Sequence, residues 1–390
     1  MSMSQPPLSL DSSRATGSHG TLTPLVGCAT RGGTQRASRR DRLEGATDER
    51  FRPLHDGLLV GALASGTALG DADDTADRRW RAGLARALAS GVTLLDTAIN
   101  YRCMRAERIV GEALRAAVSA GLVHRDEIVV CTKGGYVALD GELPPTREAY
   151  RAWVEREYVA PRLIARADLV AGGHCLAPRF LAHQLARSRA NLGVQKVDLY
   201  YLHHPEQQRE ARGATAFRSV LREAVEMLET KVAAGEIGAW GVATWEGLRV
   251  PPDHPRHLPI AEVVAVAREV AGQSHHLRAV QMPINLAMPE AVRLPTQELV
   301  PGGARVPALQ ACAELGLAVV ASAPLLSGRL TSGLPPALAE TFPTCETDAQ
   351  RALAFVLALP GVSAVACGMS DPAHVEENVA VLGLGVSEAF

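Results

Sequence analysis

Residues 94–114 read LLDTAINYRCMRAERIVGEAL, and they contain one unit of the pattern that decides the fold. The apolar run Val92–Asp96 predicts a short buried strand, and the amphipathic segment Ala106–Ala120 predicts a helix after it. A second unit follows, with a predicted strand at Glu127–Thr132 and a later helix at Pro178–Leu192. Buried strands that alternate with helices predict parallel strands joined by crossover helices.

The same alternation extends in both directions, from about residue 57 to residue 382. The other predicted strands are Leu58–Ser65, Val197–Leu202, Ile237–Val242, Arg278–Met282, Leu317–Ala321 and Val362–Cys367. The other predicted helices are Asp77–Ser90, Ala216–Ala234, Ile260–Ala271, Val306–Leu315, Asp348–Leu359 and Pro372–Leu382. Eight strand–helix units predict an α/β protein with a closed parallel (β/α)8 TIM barrel. No G-x-G-x-x-G sequence follows a predicted strand, which disfavours an open dinucleotide-binding sheet.

Two segments depart from this alternation. Residues 1–50 are rich in Ser, Thr, Gly and Arg and poor in large apolar residues, so we expect a disordered N-terminal extension. Residues 51–390 are expected to form the barrel. A long insertion, at about residues 134–177, follows the third strand and contains a predicted helix at Thr146–Tyr158. Because loops of that length on compact domains are usually functional, we expect it to form a lid or rim over the barrel mouth.

The composition of the chain disfavours several classes of partner. The formal net charge is −2 and no basic stripe is present, which disfavours nucleic acid as a partner. The seven cysteines contain no C-x-x-C pair, which favours a cytoplasmic protein without a disulfide framework. No apolar run is long enough to span a membrane, and the pair His174-Cys175 has too few ligands for a metal site. The oligomeric state stays open.

Polar and titratable residues gather where the predicted strands end. Asp96 ends the second strand, Lys133 the third and His203 the fourth. Thr244 follows the fifth strand, and Gln281 lies near the end of the sixth. In (β/α)8 barrels the active site is built at the carboxyl ends of the strands, so we expect these side chains to share one mouth. For Asp96 alone, capping of the next helix is the competing interpretation.

The residue types at this mouth suit the reduction of a carbonyl group, which needs a hydride donor and an acid. Tyrosine is a weak acid near neutral pH, with a reference pKa of about 10. A nearby lysine lowers that pKa, and a carboxylate paired with the lysine holds the ammonium in place. A histidine can donate a second hydrogen bond to the carbonyl oxygen. Asp96, Tyr101, Lys133 and His203 would form such a group.

Several segments together resemble the aldo-keto reductase superfamily. Residues 94–114 look like its D-T-A-x-x-Y…E-x-x-x-G block, VVCTKGG (129–135) like its lysine strand, and DLYYLHHPE (198–206) like its histidine strand. The later matching segments, in family order, are GAWGVATW (238–245), QMPIN (281–285), ASAPLLSGRLT (321–331) and CGMSDPAHVEEN (367–378). The ordered set covers about residues 57–382 and is more specific than any one of its members.

The resemblance implies that Tyr101 is the general acid, Lys133 lowers its pKa, Asp96 anchors Lys133, and His203 orients the carbonyl. It also implies NADP(H), with NAD(H) as the alternative, bound extended across the barrel mouth, and a small-molecule carbonyl substrate. The cofactor-binding residues that it implies are Thr67, Asp96, Thr244, Gln281, Pro324, Leu325, Ser327, Gly328, Gly368, Met369, Ser370, His374, Glu377 and Asn378.

Four features of the sequence depart from the common pattern of the family. Ala243-Thr244 replaces the usual Ser-Asn pair, Ser322 stands where an aromatic residue is common, and His374 replaces a common Gln. No Arg or Lys lies next to Ser370, where a 2′-phosphate would need one. The last departure weakens the implied preference for NADP over NAD.

Two other functions stay open at this point. A cofactor-binding regulatory or redox-sensing subunit with little turnover is one, and the long insertion would suit it as a docking element. An unrelated barrel, such as a lyase or an isomerase, is the other. In the His203-His204 pair, we expect His204 to lie at the rim or to face the substrate.

Overall fold

A computed structural model of the chain describes residues 23–40 and 50–385. Eight parallel strands within these residues close into a barrel whose order follows the chain, with the last strand pairing with the first. The barrel strands are β1 (Leu63–Gly66), β2 (Leu94–Asp96), β3 (Val129–Gly134), β4 (Val197–His203), β5 (Ile237–Ala243), β6 (Leu277–Pro283), β7 (Ala318–Ser322) and β8 (Val362–Gly368). The predicted (β/α)8 barrel is therefore confirmed.

A helix follows each barrel strand. These helices are α1 (Asp74–Ala89), α2 (Arg105–Ser119), α3 (Pro178–Leu192), α4 (Ala214–Ala233), α5 (Ile260–Ala271), α6 (Ala308–Glu314), α7 (Asp348–Leu357) and α8 (Pro372–Ala380). Shorter helices lie in the connecting loops at Glu206–Arg212, Glu290–Arg293 and Ala337–Thr341. In the described part of the chain, no helix has the length and apolar character that crossing a bilayer would require.

Side chains alternate along the strands between two apolar clusters. On β2, Leu94 joins the cluster inside the barrel, and Leu95 joins the larger cluster between barrel and helices. Tyr201 and Tyr200 on β4 divide in the same way. Alanines fill much of the interior, where the strands converge and space is small: Ala64, Ala239, Ala243, Ala279, Ala318, Ala364 and Ala366.

The predicted first strand, Leu58–Ser65, divides between two sheets. Leu59–Gly61 pairs antiparallel with Phe51–Pro53, and only Leu63–Gly66 enters the barrel. The break falls at Ala62, whose N–H is bonded to the carbonyl of Arg50. A second small antiparallel pair joins Gln297–Glu298 to Arg305–Val306.

The expectation of disorder is wrong for residues 23–40. A helix at Arg31–Arg40, here called the N-terminal helix, packs beside the turn Arg125–Glu127 that precedes β3. Arg36 Nη2 lies 2.8 Å from Asp126 Oδ2, and Arg40 Nη2 lies 2.8 Å from Glu127 Oε2. The buried residues of this helix are small, namely Gly33, Thr34 and Ala37. The rest of the predicted extension, residues 1–22 and 41–49, lies outside the described residues.

Close approach explains why this helix carries no large apolar residue on its buried face. A Cβ added to Gly33 would lie 2.1 Å from the carbonyl oxygen of Asp126, so only glycine fits there. Small buried residues and ion pairs therefore attach this helix to the barrel, as an apolar stripe does for other helices.

The insertion, residues 134–177, packs against the first turn of α3 and, through Tyr136 and His174, against the end of β4. It contains the helix Arg147–Val154, which continues through a π turn at Glu155–Val159, and a 3-10 turn at Arg166–Asp168. Its apolar side chains form a separate small cluster with the first turn of α3: Val137, Val154, Tyr158, Ile164, Cys175 and Phe180. The helix predicted at Thr146–Tyr158 is therefore confirmed.

Candidate active site

A cavity of about 660 Å³ opens at the carboxyl ends of the barrel strands. The predicted residues that line it are Thr67, Asp96, Tyr101, His203, Thr244, Gln281, Pro324, Leu325, Ser327, Gly328, Gly368, Ser370, His374, Glu377 and Asn378. Lys133 lies just beneath the lining, in contact with Asp96. No residue of the insertion lines the cavity, so the expected lid does not cover it.

Met369 is the one predicted cofactor residue that lies away from the cavity. Its side chain is fully buried in the apolar cluster between barrel and helices. Its neighbours Gly368 and Ser370 line the cavity instead. The alternation of side chains at the end of β8 separates these three consecutive residues.

An ion pair between Lys133 and Asp96 forms the floor of the cavity. Lys133 Nζ lies 2.9 and 2.8 Å from the two carboxylate oxygens of Asp96, and it donates a third bond of 2.9 Å to the carbonyl of Thr97. The register of the barrel explains this pairing. Asp96 stands opposite Cys131 across β2 and β3, and Lys133 follows on the same face two residues later.

Tyr101 lies on the loop after β2, with its ring over the ammonium of Lys133. The distance from Lys133 Nζ to the ring centroid is 4.9 Å. Three left-handed residues in succession, Arg102, Cys103 and Met104, follow Tyr101, with φ between 50° and 65°. Such backbone is costly for residues other than glycine and clusters at functional sites. The buried ion pair of Arg102 with Asp77 on α1 holds this turn in place.

The charges at this floor follow from burial and from the ion pair. Burial raises the pKa of Tyr101, and the charge of Lys133 offsets only part of that rise. Burial is the largest single effect on Lys133 and would lower its pKa, but the charges of Asp96 and Tyr101 and the hydrogen bond to Asp96 together outweigh it, and the pKa is raised. The phenol therefore keeps its proton and the ammonium its charge at neutral pH. Lys133 acts on Tyr101 in the direction expected from the sequence, although burial has the larger effect.

His203 ends β4 on the other side of Tyr101. The two ring centroids are 5.8 Å apart, and the rings meet edge to face. Burial, with the charges of His204 and Lys133, holds the pKa of His203 well below its ordinary value, so the imidazole is neutral. Its Nδ1 is buried without a hydrogen-bond partner among the described residues. The other ring nitrogen is the one available toward the cavity.

The insertion supports His203 through a histidine that sequence reasoning considered only as a metal ligand. His174 is fully buried, and its Nε2 lies 2.7 Å from the carbonyl oxygen of His203. The Gln208 amide nitrogen lies 3.1 Å from the other ring nitrogen and 3.0 Å from the His174 carbonyl. Burial lowers the pKa of His174 to about 4, so a neutral ring donates to the His203 carbonyl. Among the described residues, no group of three or more His, Cys, Asp or Glu could hold a metal ion.

The opposite wall of the cavity carries few side-chain hydrogen bonds. Gln281 Nε2 donates to Asp96 Oδ1 over 3.0 Å, and Thr67 Oγ1 donates to the Asp96 carbonyl over 3.1 Å. Thr244 Oγ1 accepts a 2.8 Å bond from the N–H of Gly247. Small residues from β1, β7 and β8 complete the wall: Gly66, Ala68, Ser322, Ala323, Ser327, Gly328, Ala366 and Gly368.

The shape and chemistry of this wall fit an extended nucleotide. After β7 the chain turns through left-handed residues at Leu326 and Ser327, a local geometry whose N–H groups can bind anions. From there the lining runs to Ser370 and Asn378 beside α8. Among the lining residues, Asp96 and Glu377 are acidic and none is Lys or Arg.

Comparison with known proteins agrees with this architecture. Residues 59–251 match the model of the Aldo/keto reductase family. The chain is 25% identical over 316 residues to an NADH-specific methylglyoxal reductase of Escherichia coli, covering 77% of this chain and 81% of that protein. It is also 28% identical over 193 residues to a 6-dehydroglucose reductase of Agrobacterium fabrum, covering 49% and 52% of the two chains.

Solved structures share the fold. An aldo/keto reductase from Klebsiella pneumoniae, in complex with NADP and acetate, superposes with a TM-score of 0.55 at 23% identity. That match covers 85% of this chain and 89% of the other. The holo form of an aldo-keto reductase from Bacillus halodurans gives a TM-score of 0.56 at 21% identity, covering 85% and 90%.

Proposed function

We propose that this chain, which belongs to the aldo/keto reductase superfamily, reduces an aldehyde or ketone to the alcohol with Tyr101 as the general acid. One observation carries the assignment of the acid. The buried ammonium of Lys133 lies between the carboxylate of Asp96 and the ring of Tyr101 at the base of the cavity. A phenol in this position can release its proton because a fixed positive charge stabilises the phenolate that remains.

A reduced nicotinamide nucleotide supplies the hydride when it is bound. Tyr101 then transfers its hydroxyl proton to the carbonyl oxygen as negative charge develops there. Lys133 stabilises the phenolate, and Asp96 keeps Lys133 charged and in place. The neutral imidazole of His203 donates a hydrogen bond to the same oxygen, which orients the carbonyl and stabilises the developing charge.

The chain's own residues would hold the nucleotide along the small-residue wall. In this proposal Gln281 and Thr244 would bind the carboxamide, the turn at Ser327 and Gly328 the pyrophosphate, and Ser370 the adenosine end; all five residues line the cavity. We expect both NADPH and NADH to bind. The carboxylate of Glu377, together with the absence of Lys and Arg among the lining residues, favours NADH.

The substrate is proposed to be a small carbonyl compound. The two curated relatives act, by their names, on methylglyoxal and on 6-dehydroglucose, which are both small and rich in oxygen. We also propose a cytoplasmic location, since the seven cysteines are all free and a reducing compartment suits them.

The test compares wild type with Tyr101→Phe in the oxidation of NADPH and NADH by a reactive aromatic aldehyde. Loss of the acid should lower kcat at least about 100-fold. Nucleotide binding should persist, measured by quenching of tryptophan fluorescence, since Trp245 lines the cavity. Tyr150→Phe is the matched control, because Tyr150 donates to the carbonyl of Gly172 in the insertion, away from the cavity.

Each other outcome points to a different function. If both nucleotides bind but no aldehyde or ketone is reduced, a regulatory or redox-sensing subunit becomes the better assignment. If neither nucleotide binds, the assignment to nicotinamide chemistry fails.

A further inference from the structure

A second histidine stands beside His203 in the cavity wall. The ring centroids of His203 and His204 are 4.5 Å apart, and both residues line the cavity. Consecutive residues of a strand point to opposite faces, so this arrangement needs a break in the strand. His204 provides it with a left-handed backbone, at φ 49°, and its N–H donates to the carbonyl of Ala243 over 2.6 Å. The chain thus bears a strained residue that brings two imidazoles to one site.

The insertion fixes which nitrogen of His204 carries the proton. Tyr136, near the start of the insertion, places its hydroxyl 2.9 Å from His204 Nδ1. The side-chain amide of Gln207 donates to the same hydroxyl. With the Gln207 amide as a donor, Nδ1 of His204 is the one acceptor within reach of the Tyr136 hydroxyl among the described residues, so the hydroxyl proton is directed to Nδ1. The ring proton must then sit on Nε2.

The proton on Nε2 is available to a bound molecule. Burial lowers the pKa of His204 to about 4, so the ring is neutral and has one N–H. Among the described residues, Nε2 of His204 has no hydrogen-bond partner, and it is not among the buried unpaired atoms. The side chain lines the cavity, so its free N–H is open to that space.

We propose that His204 donates a hydrogen bond to a second oxygen of the substrate, on the carbon next to the carbonyl. The inference rests on the proposed function, in which His203 and Tyr101 hold the carbonyl oxygen. Two donors on neighbouring rings match two oxygens on adjacent carbons. The substrate class is therefore 2-hydroxy or 2-oxo carbonyl compounds rather than simple alkyl aldehydes.

The surroundings of His204 strengthen this preference. The nearby residues that also line this part of the mouth, Ala243 and Trp245, present mainly apolar surface. An alkyl group placed against His204 would cover its N–H without replacing the hydrogen bond to water. Leaving a buried donor unpaired costs more than the bond itself gains, so the site rejects such substrates.

The test uses two aldehydes that differ only by a hydroxyl in place of a methyl group, 2-hydroxypropanal and 2-methylpropanal. The measured quantity is the ratio of their kcat/KM values, corrected for aldehyde hydration. His204→Phe keeps an aromatic ring and removes both nitrogens, and Tyr136→Phe removes only the orienting hydroxyl. Tyr150→Phe is the control, a tyrosine of the same insertion that contacts Gly172. Thermal unfolding of each variant checks that it folds.

We expect the ratio of kcat/KM for 2-hydroxypropanal to kcat/KM for 2-methylpropanal to fall about tenfold in His204→Phe. A tenfold change corresponds to the free energy of about one hydrogen bond. Tyr136→Phe should lower the ratio by a smaller factor, mainly through KM, and Tyr150→Phe should leave it unchanged. If His204→Phe lowers both kcat/KM values by the same factor, the ratio stays constant and the assignment of His204 is overturned. If wild type reduces neither aldehyde, nor the aromatic aldehyde above, the proposed function itself fails.

Discussion

The two walls of the cavity are built from different kinds of residue. The wall from β2 to β4 carries two histidines, which the insertion supports by hydrogen bonds, and it rises from the ion pair of Asp96 and Lys133 at the floor. The wall from β7 and β8 is rich in glycine, alanine and serine residues, with Glu377 at its far end, and it has few side-chain hydrogen bonds. The first wall holds charged and polar groups at fixed distances, which suits the proposed proton transfer. The second leaves room and backbone N–H groups, which suits the proposed binding of an extended nucleotide.

The contrast between the two walls predicts that the largest effects come from the ion pair at the floor, below the first wall. Lys133→Met leaves the buried Asp96 carboxylate without its partner, and we expect a loss of about 3–5 kcal/mol in the free energy of unfolding. Lys231→Met is the control, because Lys231 pairs with Glu236 over 2.8 Å nearer the surface. That change should cost at most about 1 kcal/mol. Urea unfolding of both variants tests the comparison, and equal losses would contradict it.

The buried histidine behind the first wall predicts a dependence of stability on pH. The pKa of His174 is lowered to about 4 in the folded chain, so the unfolded chain takes up a proton first as pH falls. Stability should decrease below about pH 6.5, by up to about 1.4 kcal/mol per pH unit for this residue, and level off near pH 4. Urea unfolding from pH 7.5 to 4.5 measures the slope. In His174→Leu the slope should be smaller; an unchanged slope would show that His174 does not contribute.

The stability of His174→Leu at a single pH gives a second comparison between the two walls. The change removes the donor to the His203 carbonyl and one of the acceptors of the Gln208 amide, so unfolding should become about 1–3 kcal/mol easier. Ser327→Ala, on the opposite wall, should change stability by less than about 0.5 kcal/mol. Thermal unfolding compares the two. A greater loss in Ser327→Ala would reverse the distinction drawn between the walls.

The smallest expected effect lies at the far end of the second wall. Glu377→Gln removes a carboxylate from the cavity lining while keeping an acceptor for Thr347, which bonds to Glu377 over 2.7 Å. We expect the Kd of NADPH to improve about three- to fivefold relative to that of NADH. Fluorescence titration with both nucleotides gives the ratio. A ratio that does not move would place the 2′-phosphate elsewhere.

The two walls also differ in how well the sequence predicted them. Asp96, Lys133 and His203 could be located because each ends a buried strand, and parallel strands end at one mouth. The wall from β7 and β8 could be outlined from motif order, but not side chain by side chain. Met369 was predicted to face the nucleotide, and the local alternation buries it instead.

Contacts distant in sequence explain what the sequence did not predict. His174 acts on His203 across a loop and a strand, and Tyr136 reaches His204 in the same way. No periodicity marks either residue. The N-terminal helix was missed for another reason: its buried face has no large apolar residue, so a hydrophobic pattern is absent.

The segment that leads into the N-terminal helix matters for any shortened form of the protein. Upstream of the helix, the N–H of Ala29 donates to Asp198 Oδ1 over 2.6 Å, while Arg125 and the N–H of Val130 bind the other oxygen. Asp198 is buried at the start of β4, the strand that ends in His203. An expression clone that begins at the first barrel strand would keep every candidate catalytic residue. It would also leave one oxygen of the buried Asp198 carboxylate without its donor, at the opposite end of β4 from the cavity.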